Sequence, residues 1–269
     1  MSRPMRFVVC VLVCAVFVLP LVAMVVVAFT PRELIFDGGA GLWPDRWTTA
    51  NFTGLTETFP VWRWFGNALV VATLTTLLAV AVNLAAGYAL AKLRFRGRGL
   101  VFIVVLSTLM VPTQAIMMPQ FELVARMGLI GFFWAVILPS ASTALGVFLA
   151  RQFFLSVPVE LVEAARIDGC NHWTAFLRIV LPLAKPLVAV MSLLAFMTQW
   201  NDFLWPLITL RDPDLYTLPV AMSYLQGQFD ADYGGLMAMA LVSCVPLLVV
   251  FVVLQRYFVA GFARSGIRS

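Results

Sequence analysis

Glu160, Glu163, Ala164, Ala165, Asp168 and Gly169 fall within ten residues of one another, and Ile179, Leu181 and Pro182 follow. On a helix, Glu160, Glu163, Ala164 and Ile167 share a face by i, i+3 and i+4 spacing. The alanines keep the surface low, so another protein can approach closely. Gly169 suits the left-handed residue at which a helix stops and reverses. Such a pattern supports recognition by another protein. Its periodicity fits an amphipathic connector on a membrane surface equally well. The other reactive residue types offer little. His172 is the single histidine; it has no Ser or Cys triad around it and reads as a polar contact of the same segment. Cys10 and Cys14 stand i, i+4 with no His or carboxylate near them, and read as packing residues. No disulfide is expected from these or from Cys170 and Cys244. The chain has no Gly-x-x-x-x-Gly-Lys-Ser/Thr phosphate loop and no Gly-Lys pair, which argues against ATP binding or hydrolysis by this chain.

The elements that must position this segment are mostly apolar. Of 269 residues, 62% are hydrophobic and 12% charged, where soluble domains average about a quarter charged. With a mean hydropathy of +0.97, this places the chain in the polytopic membrane class. It reads as one all-α transmembrane domain over residues 1–269, because lipid offers no partner for free backbone groups. Six segments are long enough to cross about 30 Å of hydrocarbon: Phe7 to Phe29, Asn67 to Ala91, Leu100 to Phe121, Met127 to Ala150, Pro186 to Leu204, and Tyr233 to Gln255. The first is too long for a signal h-region and lacks a clear Ala-x-Ala site, so it reads as an uncleaved anchor. With both termini inside, thirteen Lys and Arg fall on the cytoplasmic side and five outside, as the positive-inside rule requires. Lys92, Arg94, Arg96 and Arg98 are the strongest vote. The basic residues alternate with the apolar runs and form no single patch, which excludes nucleic acid as the partner.

Residues 151–185 form the one sizeable inner segment. Ser156 is expected to cap a first short helix and Pro158 to open it. Glu160 and Glu163 suit its positive end, and Gly169 ends it. A second helix is expected over about Asn171 to Ile179, and Pro182 marks entry into the next span. The outer segments carry Trp43, Trp47, Trp62, Trp64, Trp205, Tyr216 and Tyr224, read either as an interfacial aromatic belt or as a surface for an external partner. Polar residues inside spans, namely Asn83, Thr113, Gln114, Gln199 and Asn201, are candidates for a translocation path or for interhelical hydrogen bonds. Asp202, near the outer interface, reads as capping or gating that end. Pro112, Pro139 and Pro246 are candidate kinks.

Glu163-Ala164-Ala165, three residues, Gly169, nine residues, Ile179, one residue, Leu181-Pro182 resembles the signature of permease subunits of bacterial ABC importers that work with a solute-binding protein. Tyr88-Ala89-Leu90-Ala91-Lys92, Phe95-Arg96-Gly97-Arg98, Met110-Val111-Pro112, Pro119, Arg151-Gln152-Phe153-Phe154, Trp200 to Pro206, and Gln255-Arg256-Tyr257-Phe258 with Gly261 are similar to the carbohydrate branch, the maltose-type permeases of the second-subunit kind. The resemblance covers roughly residues 60–269. The chain ends Gly266-Ile267-Arg268-Ser269, where that group usually ends near Gly-Val-Lys-Gly.

The resemblance implies a multi-pass subunit of the bacterial inner membrane that imports a carbohydrate or related polyol. It implies that Glu160, Glu163, Ala164, Ala165, Asp168, Gly169, Ile179, Leu181 and Pro182 couple the spans to a cytoplasmic ATP-binding subunit dimer, which carries ATP and magnesium; no cofactor is expected on this chain. A second homologous permease and an extracytoplasmic solute-binding protein are the other implied partners. A stand-alone secondary transporter or channel would be expected to show mid-span ionisable residues or inverted repeats. An intramembrane enzyme would need a nucleophile with a base, or metal ligands. The sequence displays neither set.

Overall fold

The computed structural model describes residues 3–35, 43–228 and 232–265. The tail Gly266 to Ser269, including Arg268, lies outside the described residues. The described residues are mostly helical, with no strand among them. The contacts group into two compact units, residues 1–65 with 217–248, and residues 66–216 with 249–269.

The first unit holds α1 (Arg3–Ala28), α2 (Ala50–Thr58), α13 (Leu218–Gln228) and α14 (Tyr233–Ser265) as far as Leu248. The amide of Asn51 donates to the carbonyls of Ala28 and Thr30, both at 2.9 Å, closing the end of α1. A Cβ on Gly234 would meet that Asn51 side chain at 2.7 Å, so glycine leaves it room. Arg32 pairs with Asp232 at 2.8 Å. The apolar window of α1 buries nothing within the chain.

The second unit is built on α3 (Val61–Lys92), from Gly66 onward, with α4 (Arg98–Ser107), α5 (Thr113–Arg126), α6 (Trp134–Ile137), α7 (Ala144–Ser156), α8 (Val159–Ile167), α9 (His172–Ala175), α10 (Leu181–Leu183), α11 (Lys185–Trp200) and α12 (Leu204–Thr209). A π-helical turn, Phe176–Val180, joins α9 to α10. One buried cluster gathers Leu84, Tyr88 and Ala91 of α3, Ala150 and Phe154 of α7, Val162 of α8, Phe176, and Leu187 and Met191 of α11. A second gathers Val71, Val124, Ala135, Val136, Ile137, Trp205 and Leu210.

Three helices among the described residues are long and apolar enough to cross a membrane: Arg3–Ala28, Val61–Lys92 and Tyr233–Tyr257. Three further stretches, 98–126, 144–167 and 172–200, pass only as bent pairs, and the spans expected as continuous helices at 100–121, 127–150 and 186–204 are each interrupted. The first breaks at Pro112 with a bend of 107°, because proline removes an N–H and holds Val111 extended at φ −89° and ψ 119°. The second is mostly turns until α7, with Gly128 and Gly131 at positive φ and Pro139 between α6 and α7. The third is α11, 16 residues or about 24 Å, and the chain turns at Asn201 before α12. Pro246 lies inside α14, which continues through it.

The aromatic reading divides. Trp43, Trp47 and Trp62 are exposed, whereas Trp64 and Trp205 are buried. Trp205 Nε1 donates to the Ala135 carbonyl at 3.0 Å, so it packs a core and belongs to no interfacial belt.

Candidate coupling site

Helix α8 starts after Pro158, at φ −55° and ψ 135°, and has no side-chain cap. Ser156 does not cap it, contrary to expectation: it ends α7, and its hydroxyl donates to the Phe153 carbonyl at 2.7 Å. Glu160 stands in the first turn, where the free N–H groups favour a negative charge. Val162 and Ala165 face inward and are buried. Glu160, Glu163, Ala164 and Ile167 face outward and are exposed. Ala165 therefore contributes packing beneath the helix, not contact surface. Ile167 is 87% exposed, an isolated apolar knob between Glu163 and the turn. The sequence placed it on this face but did not count it among the contacts; its i+4 distance from Glu163 was the available signal.

The reversal at Gly169 is well defined. Gly169 takes φ 86°, its N–H reaches the Arg166 carbonyl at 3.1 Å, and the Cys170 N–H reaches the Ala165 carbonyl at 2.9 Å. These two bonds form a Schellman motif. A Cβ on Gly169 would meet no atom within 4 Å, so a substitution here costs backbone strain alone. Gly169→Val is expected to destabilise the loop by about 1–2 kcal/mol. Thermal unfolding of the purified importer measures this, and an unchanged midpoint would remove the turn from the argument.

The following helix starts at Asn171, whose Oδ1 accepts the Thr174 N–H at 2.7 Å. Ile179 and Leu181 are half-buried and Pro182 is exposed. Leu181 packs against the first core cluster. Entry into the next span comes at Ala184, where the chain bends by 83°, two residues later than Pro182.

Four contacts fasten this loop to α3. The Lys92 ammonium donates to the Val157 carbonyl at the α7–α8 corner. Lys92 lies beyond the apolar run; burial lowers its pKa, and the Glu160 charge works against that. Arg151 Nε donates to the Leu90 carbonyl at 3.3 Å. The Tyr88 ring stands at 4.8 Å from Phe176 and edge-on at 5.8 Å from Phe154. Finally, α3 and α7 touch at Gly87 and Ala150. The loop is thus a rigid lever bolted to a long helix, a geometry suited to rigid-body transmission.

The other polar candidates separate. Asn83 Oδ1 accepts the Ser142 hydroxyl at 3.0 Å and the Thr143 N–H at 3.2 Å, so it clamps the broken segment before α7 to α3. Gln114 is exposed at the start of α5, 3.3 Å from the Thr113 hydroxyl. Gln199, Asn201 and Asp202 gather at the end of α11. Gln199 is buried, the Asn201 amide donates to the Met197 carbonyl at 2.7 Å, and the Asp202 carboxylate accepts the Trp205 N–H in the first turn of α12. Among the described residues no group of three or more His, Cys, Asp or Glu is placed to hold a metal ion.

The family described as the binding-protein-dependent transport system inner membrane component matches residues 81–264. This chain belongs to that family. The arabinooligosaccharide transport permease AraQ of Halalkalibacterium halodurans is 37% identical over 255 residues, covering 94% of this chain and 91% of the relative. The sn-glycerol-3-phosphate transport permease UgpE of Shigella flexneri is 32% identical over 259 residues, covering 93% and 92%. A solved bacterial ABC transporter involved in import of the acidic polysaccharide alginate shares the fold, with a TM-score of 0.86 at 22% identity, covering 96% of this chain and 99% of the other. As a binding-protein-dependent permease, the chain is an inner-membrane subunit of an ABC importer whose ATPase is a separate subunit. Family membership also implies work with a substrate-binding protein and a second permease.

Proposed function

We propose that this permease imports a carbohydrate or related polyol, forms half of the translocation path beside a second homologous permease, and takes its drive from an ATPase dimer through α8. Support for the substrate class comes from relatives named for arabinooligosaccharide and glycerol-3-phosphate transport. The exposed knob of Ile167 beside Glu163 and Ala164 is the observation that carries the coupling role. A soluble surface gains nothing from such an apolar side chain, whereas a cleft that covers it gains about 1.5–3 kcal/mol. In this reading the chain crosses the membrane six times with both termini cytoplasmic, and α8 lies on the cytoplasmic side outside every crossing. ATP and magnesium sit on the partner, and the cluster of Gln199, Asn201 and Asp202, with Gln114, contributes to the path.

The test is uptake into proteoliposomes holding the complete importer. Uptake of a radiolabelled sugar or polyol is expected only with ATP on the ATPase side and a binding protein on the other. Uptake driven by an ion gradient without the ATPase would instead support a stand-alone transporter. Ile167→Asp is expected to weaken ATPase docking by about tenfold or more, from loss of the buried side chain. Co-purification of the ATPase with the permease pair measures it, and unchanged recovery would count against this contact.

A further inference from the structure

A groove of about 460 Å³ runs among α3, α4 and α7 in the second unit. Its walls are Ala86 and Ala89, Val101 and Val105, and Val147. At its far end the Thr108 hydroxyl donates to the Val105 carbonyl at 2.7 Å and the Ser142 hydroxyl to Asn83 Oδ1 at 3.0 Å. Both protons are used within the chain, so the groove asks nothing of a polar ligand. Phe95 also lines the groove, and Arg94 and Arg96 flank it in sequence.

The cations of residues 94–98 and Arg151 fall into two kinds. Arg98 donates to the Leu93 carbonyl at 3.1 Å, and Arg151 donates to Leu90 and lies 4.0 Å over the Phe102 ring. Those two are engaged in holding helix ends. Arg94 and Arg96 are exposed, and among the described residues no acidic side chain pairs with either. An apolar slot lined by Phe95, which two exposed and unneutralised arginines flank in sequence, matches a molecule with an alkyl chain and an anionic head. An acidic peptide would meet the cations and leave the slot empty.

We propose that an anionic phospholipid of the inner leaflet lays one acyl chain in this groove and sets its phosphate on Arg94 and Arg96. Basic residues next to a span hold anionic lipid in this way, and the bidentate guanidinium matches phosphate geometry. The proposal rests on the inward placement of residues 92–98, which also underlies the function proposed above. The readout below is lipid retention, so its failure is separable from failure of ATP-driven uptake.

The test is native mass spectrometry of the complete detergent-purified importer, supplied with phosphatidylglycerol or phosphatidylcholine. Phosphatidylglycerol is expected to be retained in preference. Its retention is expected to fall by about tenfold both in the Arg94→Gln/Arg96→Gln double variant and in Ala89→Phe, which fills the slot, with the subunits still assembled. Equal retention of the two lipids overturns the proposal. So does undiminished retention in either variant, since head and chain must both be seated. Release of a permease or ATPase subunit by the arginine variant would assign those cations to a protein surface and overturn it as well.

Discussion

Glu163→Lys is expected to leave the permease inserted in the membrane while uptake is uncoupled from ATP hydrolysis. Glu163 is exposed on α8, and the packing of that helix rests on Val162 and Ala165 on the opposite face. Folding therefore has little stake in the side chain. Docking has a large one, because it stands beside Ala164 on the face that carries Ile167. Losing one partner of a buried, hydrogen-bonded charge pair costs about 2–5 kcal/mol, and a reversed charge adds repulsion. Uptake should fall by about thirtyfold or more. Parallel assays of ATP hydrolysis and uptake in proteoliposomes decide it, and uptake at the unsubstituted level would sink the assignment of this face.

The second large effect is structural. In Gly87→Leu, the new Cβ would lie 2.4 Å from Ala150 Cβ and 2.8 Å from the Arg151 backbone nitrogen. Neither neighbour can move without parting α3 from α7. Overpacking of a well-filled core costs about 1–3 kcal/mol and occasionally more; a clash with backbone belongs at the upper end. The damage also spreads, because Phe154, fully buried, and the Lys92 bond to Val157 depend on the same approach. The folded fraction recovered from membranes should drop sharply, with the coupling loop becoming protease-sensitive. Gly66→Ala on the same helix is the control: nothing lies within 4 Å of its Cβ, so it should be neutral or stabilise by about 0.4–1 kcal/mol. Equal behaviour of the two variants would refute the close approach.

The fold and site were unevenly legible. The reversal at Gly169 was readable because a left-handed residue has a local chemical requirement, met here at φ 86°. Asn171, expected to begin the second helix, serves as its cap. By contrast, the spans expected as continuous helices at 100–121, 127–150 and 186–204 are each interrupted. Apolar runs record how much oil a segment holds, and Pro112 was the visible warning of a break, but no sequence term gives a bend of 107°. Asn83, weighed as a path residue or a hydrogen-bond partner, holds Ser142 and Thr143, residues 59 and 60 positions away.

By itself the sequence determined membrane residence, helical class, and the short helix of residues 159–167 with its bounding glycine. Each of these depends on solvation of a segment or on the φ of one residue, which neighbours in sequence suffice to set. Only the tertiary structure decided that Ala165 packs inward while Ile167 projects, that Trp64 and Trp205 are core, and that Lys92, Tyr88 and Gly87 fasten the loop to α3. On helices apolar on every side, periodicity does not distinguish the face that meets lipid from the face that meets protein. That choice is made by shape: where a glycine lets two backbones touch, and where a carbonyl finds its donor.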